Sequence, residues 1–183
     1  MLKRALAAAV VMISLVGAVG VQPIPEPETV PHVGEMKVRK LEAMRYLHRS
    51  MKTSFPTMGQ AVEEMMKAFN ADTAAGKVPA GQYIYTYEGV GEGEQFTLKI
   101  GLAVKPGVTA PEGYLLTEEP EYLCATVIYT GPTAGIGNTW GELLNGVQAE
   151  GYVAEGSGRD YYLYVEKPES PNNVVMLAVR IKP

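Results

Sequence analysis

The sequence predicts an α+β domain in which two tandem strand-helix-strand-strand repeats form one curved, mainly antiparallel sheet, with two helices on one face. The first observation is an apolar pattern that recurs 78 residues later, and whose offsets 0, 4, 7, 8 and 11 place five side chains on one stripe of a helix. The second is that strand-like segments precede and follow each copy. The two copies are Met58, Val62, Met65, Met66 and Phe69, and Ile136, Trp140, Leu143, Leu144 and Val147.

The N-terminal segment is typical of an export signal. Lys3 and Arg4 precede the charge-free apolar run 5–19, and small residues follow at the positions that a signal peptidase reads. We expect residues 1–20 to be a signal peptide or, alternatively, an uncleaved N-terminal anchor. Contact with a membrane is expected only through such an anchor. Residues 21–35 are rich in proline and predict an extended tether. The expected location is therefore periplasmic or extracellular.

The first repeat is expected to begin near residue 36. The segment 36–51 is strand-like, and Phe55 and Pro56 introduce the first helix, with Ser54 as its cap. After this helix, tyrosines alternate with Ile84 and Thr86 over 83–87, and a second alternating segment covers 95–104. The glycine-rich turn between these two segments predicts a hairpin.

The second repeat follows the same order over about residues 113–183. A strand over 122–129 ends at Gly131 and Pro132, a helix begins with Asn138 as its N-cap, and strands follow over 160–166 and 173–181. Each repeat alone would expose one face of its strands. We therefore expect the two halves to join edge to edge, with both helices on one face and the other face curving into a groove.

Composition limits the cofactors and partners. The single cysteine, Cys124, excludes an internal disulfide and a thiolate metal cluster, and the two histidines form no recognisable metal site. We therefore expect neither a metal nor a cofactor. Without residues 1–20 the chain has 14 basic and 20 acidic residues, a net charge of −6, which disfavours nucleic-acid binding.

The second half also contains a diffuse set of glycine, proline and aromatic residues: Tyr129-Thr130-Gly131-Pro132, Trp140, Leu143, Leu144, Glu150-Gly151-Tyr152, Arg159-Asp160-Tyr161-Tyr162 and Lys167-Pro168. This set resembles the GyrI-like small-molecule-binding domain, whose fold also serves as the effector-binding domain of AraC-type and MerR-type transcription regulators. The resemblance covers residues 36–183. It implies a pocket between the two halves, lined by aromatic and acidic side chains, for flat, apolar or cationic compounds. A few members are hydrolases that open strained cyclopropane rings.

The sequence departs from that family in two respects. An export signal is expected where the regulators have a DNA-binding helix-turn-helix, so a transcription regulator is not predicted. Many members have an acid on the last strand that faces the ligand, whereas residues 174–179 contain none, and Met176 lies nearest to that position.

The candidate ligand-binding residues are phenols that alternate onto shared strand faces, the single tryptophan and two acids that could anchor a polar group. They are Tyr46, Tyr83, Tyr85, Trp140, Tyr162, Tyr164, Glu119 and Glu166. Eleven tyrosines against three phenylalanines suit stacking and hydroxyl contacts with an aromatic ligand. The same pattern also fits tyrosines that cover a half-exposed sheet, with Trp140 packed in the core.

No catalytic residue is assigned. Glu118, Glu119 and Glu121 flank Pro120 and are expected to be solvated, and no serine or cysteine has the setting of a nucleophile. The predicted function is an exported, non-enzymatic protein that holds a hydrophobic or aromatic molecule, a cation included, in the groove between the repeats. A hydrolase of strained or electrophilic molecules is one alternative, which a buried acid facing the groove would favour. A protein-interaction module of inhibitor type is the other, which a flat apolar patch would favour.

Overall fold

The computed structural model describes residues 31–91 and 93–183, so the expected signal and most of the expected tether lie outside the described residues. Within them the chain forms nine strands and two α-helices. The strands are β1 (His32–Val33), β2 (Lys37–Leu41), β3 (Met44–Thr53), β4 (Ile84–Glu88), β5 (Phe96–Ala103), β6 (Leu115–Glu119), β7 (Tyr122–Thr130), β8 (Val153–Tyr164) and β9 (Val174–Lys182), and the helices are α1 (Met58–Ala74) and α2 (Ile136–Ala149).

All strands belong to one sheet whose pairings are antiparallel. Its order is β1-β7-β9-β8-β4-β5-β3-β6, and β2 also pairs with β7. The two halves meet where β4 pairs with β8, with Tyr85 opposite Asp160 and Tyr87 opposite Gly158. The sheet curls into a half-barrel and carries both helices on one face. The predicted α+β class and the edge-to-edge joining of two halves are therefore confirmed.

The element order strand-helix-strand-strand occurs twice, as β3-α1-β4-β5 and as β7-α2-β8-β9. For three pairs of corresponding elements, the second element begins 78 residues after the first. These pairs are β3 and β7, α1 and α2, and β5 and β9. A short 3₁₀ turn precedes each helix, over Phe55–Thr57 and over Thr133–Gly135. Each of these turns contains or follows a proline, whose fixed φ suits the first turn of a helix.

The residues of the apolar stripe of each helix have two different environments: some pack against the sheet, and the others line an open groove. Met65 and Phe69 of α1, and Leu143 and Val147 of α2, are buried against the sheet. Burial of one such side chain contributes about 1.5–3 kcal/mol. The other three positions of each stripe line an open groove: Met58, Val62 and Met66 in α1, and Ile136, Trp140 and Leu144 in α2.

Three local expectations are wrong. The helix expected to begin at Asn138 begins at Ile136 with Gly135 as its N-cap, because the preceding 3₁₀ turn runs directly into it. The expected strand 36–51 is two strands, of which β2 pairs with β7 and β3 pairs with β5 and β6. The edge strand β6 was not expected at all, because its acidic end is typical of a loop. Within the described residues, no helix is long and apolar enough to cross a membrane.

Candidate functional site

A groove of about 1290 Å³ lies between α1 and α2, and the central strands β4 and β8 form its floor. It forms there because α1 packs mainly on β3 and β5, and α2 packs on β7, β8 and β9, which leaves the middle of the sheet uncovered. The groove therefore occupies the helix-bearing face. This corrects the expectation that the face opposite the helices would form it.

The floor of the groove is aromatic. Strand alternation directs Tyr85 and Tyr87 of β4, and Tyr83 just before it, into the groove. They share one face, as the alternation predicts, but it is the face that carries the helices. The ring of Tyr85 lies 4.5 Å from that of Tyr162, and the ring of Tyr87 meets Trp140 edge to face, with centroids 5.9 Å apart. Such surfaces stack on flat ligands, and the faces of the rings attract cations.

One buried acid, Asp160, lies among these rings. Its side chain is fully buried, accepts a hydrogen bond from the Tyr87 hydroxyl at 2.5 Å and accepts another from Trp140 Nε1 at 2.9 Å. Burial raises the pKa of Asp160 to about 7, although both hydrogen bonds act in the opposite direction. Near neutral pH this carboxyl group therefore exists in both protonation states, and its ionised form attracts a cation strongly in this apolar setting.

Sequence reasoning did not select Asp160 as a site residue. The resemblance draws attention to the last strand, where Met176 lies nearest the acidic position of the family. The structure instead supplies an acid from the neighbouring strand, since Asp160 of β8 lies opposite Leu177 of β9. Strand alternation could have identified Asp160, because it is two residues from Tyr162 and therefore lies on the same face of the sheet.

A glycine beneath Trp140 allows this arrangement. A Cβ atom added to Gly158 would lie 2.5 Å from the Cη2 atom of Trp140, which is closer than two carbon atoms approach. Because Gly158 has no side chain, the indole ring can lie over β8 and reach Asp160. Gly158 thus helps to determine where the tryptophan is held.

The structure brings five of the candidate residues together at the groove. Tyr83, Tyr85, Trp140, Tyr162 and Tyr164 all line it. Tyr164 is half exposed at the mouth, together with other exposed apolar residues: Phe55, Leu144, Leu163 and Val165. An exposed apolar rim is typical of a ligand groove. The concave shape gives no support to the flat interaction patch considered as an alternative.

The other three candidates do not line the groove. Tyr46 is fully buried on the opposite face of the sheet, where its hydroxyl donates to the Ile84 carbonyl oxygen at 2.6 Å. Glu119 is also on that face, 9% exposed, so the expectation that it is solvated is wrong. The curl of the sheet brings Glu119 close to Arg159, with 3.0 Å between Glu119 Oε2 and Arg159 Nη2. Glu166 is exposed and accepts hydrogen bonds from Tyr164 at 2.9 Å and Ser170 at 2.6 Å.

Metal binding has no support in the described part of the chain. No group of three or more His, Cys, Asp or Glu side chains there could hold a metal ion. The single cysteine is buried in β7, and burial raises the pKa of its thiol to about 11, so it is not a reactive thiolate. The groove itself offers stacking surfaces, one buried carboxyl group and phenolic hydroxyls.

Comparisons with known proteins bear on the sequence and the fold of this chain. The family model of the GyrI-like small molecule binding domain matches residues 34–182. No curated protein matches the sequence. The fold is similar to EcmrR in its DNA complex, with a TM-score of 0.63 and 15% identity, over 81% of this chain and 57% of that one. For the EcmrR C-terminal domain the TM-score is 0.61 at 15% identity, over 81% of this chain and 97% of that one.

Two further structures are similar. SAV2435 bound to tetraphenylphosphonium has a TM-score of 0.63 and 8% identity, over 81% of this chain and 94% of that one. A hydrolase from Listeria innocua has a TM-score of 0.53 and 12% identity, over 81% of this chain and 92% of that one. At such low identities these likenesses show a common fold.

Proposed function

The chain belongs to the GyrI-like small-molecule-binding family, and we propose that it holds a hydrophobic or aromatic molecule, preferably a cation, in the groove between α1 and α2. The observation that carries this proposal is the position of Asp160, fully buried in the aromatic floor. A carboxylate there compensates a positive charge, while the rings supply stacking and cation–π contacts.

The groove has the features that this ligand class requires. Both helices contribute apolar walls, and Met58 and Met66 can adapt to ligands of different shapes. Its volume of about 1290 Å³ exceeds that of an ordinary drug-sized pocket, which is about 300–1,000 Å³. The fold it shares with SAV2435, whose structure contains tetraphenylphosphonium, further supports a bulky aromatic cation as ligand.

A pair of titrations tests the proposal. Trp140 is the only tryptophan, so its fluorescence reports on the groove. We would titrate the purified protein with tetraphenylphosphonium and with neutral triphenylphosphine oxide. At an effective dielectric constant of about 20, the attraction between a carboxylate and a cation about 6–10 Å away is about 1.5–3 kcal/mol. This predicts a preference for the cation of roughly 10- to 100-fold. The Asp160→Asn variant should lose this preference while it still binds the neutral compound. Absence of binding, or an unchanged preference in the variant, contradicts the proposal.

We propose separately that the protein is exported. Support comes from the basic start at Lys3 and Arg4 and the charge-free run 5–19, which precede a proline-rich segment. N-terminal sequencing of the protein from an extracytoplasmic fraction should give a start near residue 21. A start at Met1 in a cytoplasmic fraction contradicts export.

Hydrolysis is the second candidate function, and the raised pKa of Asp160 favours it. A carboxyl group with a pKa of about 7 can donate or accept a proton near neutral pH. A fold shared with a Listeria hydrolase is consistent with this role. Incubation with a strained cyclopropyl ketone, followed by mass spectrometry, would show addition of water by the native protein but not by Asp160→Asn. Equal conversion by both proteins excludes a role of Asp160 in hydrolysis.

A further inference from the structure

A second cavity, of about 260 Å³, lies on the face of the sheet opposite the ligand groove. It is polar, and its lining includes Thr86 and Tyr122 together with two arginines, Arg159 and Arg180. Three glutamates also reach it: Glu88, Glu119 and Glu155. None of these charged side chains takes part in the function proposed above, so the cavity needs its own explanation.

The three glutamates are already paired with cations. Glu119 accepts a hydrogen bond from Arg159 Nη2 at 3.0 Å and pairs with Lys99 Nζ at 3.4 Å. Lys99 also pairs with Glu88 at 2.5 Å. Burial alone would raise the pKa of Glu119, but Lys99 and Arg159 outweigh it and hold the pKa below its ordinary value, so this glutamate is ionised. Glu155 pairs with Lys182 at 3.8 Å.

One cation of the cavity, Arg180, remains without an acidic partner. Within residues 31–91 and 93–183 its guanidinium forms no salt bridge, and its buried Nε–H has no hydrogen-bond partner. It lies against the ring of Tyr122, with 4.7 Å between Cζ and the ring centroid, and Arg159 contacts the same ring at 4.5 Å. The lining has three carboxylates and two arginines, and Lys99 and Lys182 pair with these carboxylates from outside the lining. With those two lysines counted, four cations meet three carboxylates, and Arg180 is the cation without an acidic partner.

A second donor in the cavity is also unused. The Tyr122 side chain is only 8% exposed, and its hydroxyl has no hydrogen-bond partner in the described part of the chain. A buried donor without a partner costs about 1–3 kcal/mol, so native proteins rarely retain one unless water or a ligand satisfies it. The buried Thr86 hydroxyl, which also lines the cavity, likewise has no partner among the described residues. Three such groups in one cavity therefore indicate an acceptor that comes from outside the chain.

We propose that this cavity binds a small monocarboxylate, which accepts hydrogen bonds from the Arg180 guanidinium and the Tyr122 hydroxyl. The planar guanidinium matches the two oxygens of a carboxylate. One negative charge balances the one free positive charge, whereas the three glutamates disfavour a dianion. The volume of about 260 Å³ is below the range of about 300–1,000 Å³ that is usual for drug-sized ligands, so the ligand is a smaller molecule. This inference is independent of the ligand proposed for the groove.

Side-chain NMR of the purified protein tests the proposal, with acetate as the probe. The Nε–H resonance of Arg180 should shift saturably as sodium acetate replaces sodium chloride at constant ionic strength. Arg180→Gln should weaken acetate binding at least tenfold, measured from backbone amide shifts of β9. Tyr122→Phe, which keeps the ring and its contacts with both arginines, should weaken it roughly fivefold because only the hydroxyl is lost.

Arg49→Lys is the matched control. Arg49 also lies over a tyrosine ring, that of Tyr114 at 5.2 Å, but it lies outside this cavity and pairs with Asp72 at 3.8 Å. Its substitution should leave acetate binding unchanged. Non-saturable shifts, equal shifts with chloride, or unchanged binding in both Arg180→Gln and Tyr122→Phe overturn the proposal. Tighter binding of inorganic phosphate than of acetate overturns the assignment to a monocarboxylate.

Discussion

Trp140 donates a hydrogen bond from its indole Nε1 to Asp160 at 2.9 Å, which joins α2 to the floor of the groove. The same indole meets the ring of Tyr87, and the Tyr87 hydroxyl donates to the other oxygen of Asp160. The aromatic surface and the buried charge of the groove are therefore one hydrogen-bonded unit. Movement of Trp140 changes the surroundings of Asp160, and the protonation state of Asp160 changes what the aromatic surface attracts.

The affinity for a cation should depend on pH. The pKa of Asp160 is raised to about 7, so the carboxyl group is neutral below this pH and ionised above it. We expect the affinity for tetraphenylphosphonium to fall roughly 10- to 100-fold between pH 8 and pH 5, because protonation of Asp160 removes its Coulomb attraction for the cation. Asp160→Asn should bind with an affinity that does not change over this range. A flat profile for the wild type would show that Asp160 is not the charge that the ligand meets.

The free energy of unfolding should also depend on this group. The folded state holds the proton of Asp160 more tightly than the unfolded state, because the pKa rises from 3.8 to about 7 on folding. Protonated Asp160 therefore stabilises the folded state fully below pH ~4. This stabilisation, about 4 kcal/mol in total, is lost as the pH rises to ~7. Urea unfolding at several pH values should show this loss in the wild type relative to Asp160→Asn. A difference that stays constant with pH contradicts the raised pKa.

Replacing Gly158 by alanine should weaken ligand binding because it displaces Trp140 in the groove. The added Cβ would lie 2.5 Å from Trp140, so the indole must move away from Asp160. We expect a red-shifted tryptophan emission, a cost of about 1–3 kcal/mol in stability and weaker binding of tetraphenylphosphonium. Gly141→Ala on α2 is the control, because a Cβ there meets no atom within 4 Å and alanine favours a helix. Equal binding by both variants would mean that the position of Trp140 is unimportant.

Tyr162→Ala should weaken ligand binding because it removes a ring from the groove. The lost stacking and cation–π contacts are worth about 1–2 kcal/mol, or roughly 5- to 30-fold in affinity. The neighbouring Tyr161→Ala is the matched control, since alternation along β8 directs Tyr161 to the other face, where its hydroxyl accepts a hydrogen bond from Arg159. Fluorescence titration of both variants distinguishes a site effect from a general loss of stability. Weaker binding in Tyr161→Ala alone places the ligand on the opposite face.

Local patterns predicted the architecture because they repeat. The stripe from Met58 to Phe69 and its copy 78 residues later define both helices, and tyrosine alternation over 83–87 defines β4 and the groove face. Such periodic features depend on neighbouring residues alone. The edge strand β6 could not be predicted in this way, since its pairing with β3 and the burial of Glu119 follow from the curl of the whole sheet.

The candidate site was predictable only in part for the same reason. Alternation places Tyr85 and Tyr162 on the correct face, but the pairing of β4 with β8 is what brings them within 4.5 Å. Tyr46 is a tyrosine in a strand-like segment, as the groove tyrosines are, so the sequence alone does not distinguish it from them. The register of β3 nevertheless directs it to the opposite face of the sheet. Asp160 becomes a candidate only when Trp140 and Tyr87 are seen to converge on it.

A crystal structure with tetraphenylphosphonium tests the central claim most directly. The account predicts the phosphonium between α1 and α2, with phenyl rings against Tyr85, Tyr162 and Trp140 and its charge facing Asp160. Crystals grown above pH 7 are the appropriate ones, because Asp160 is then ionised. A compound bound on the opposite face of the sheet, or bound in the groove away from Asp160, would contradict the account.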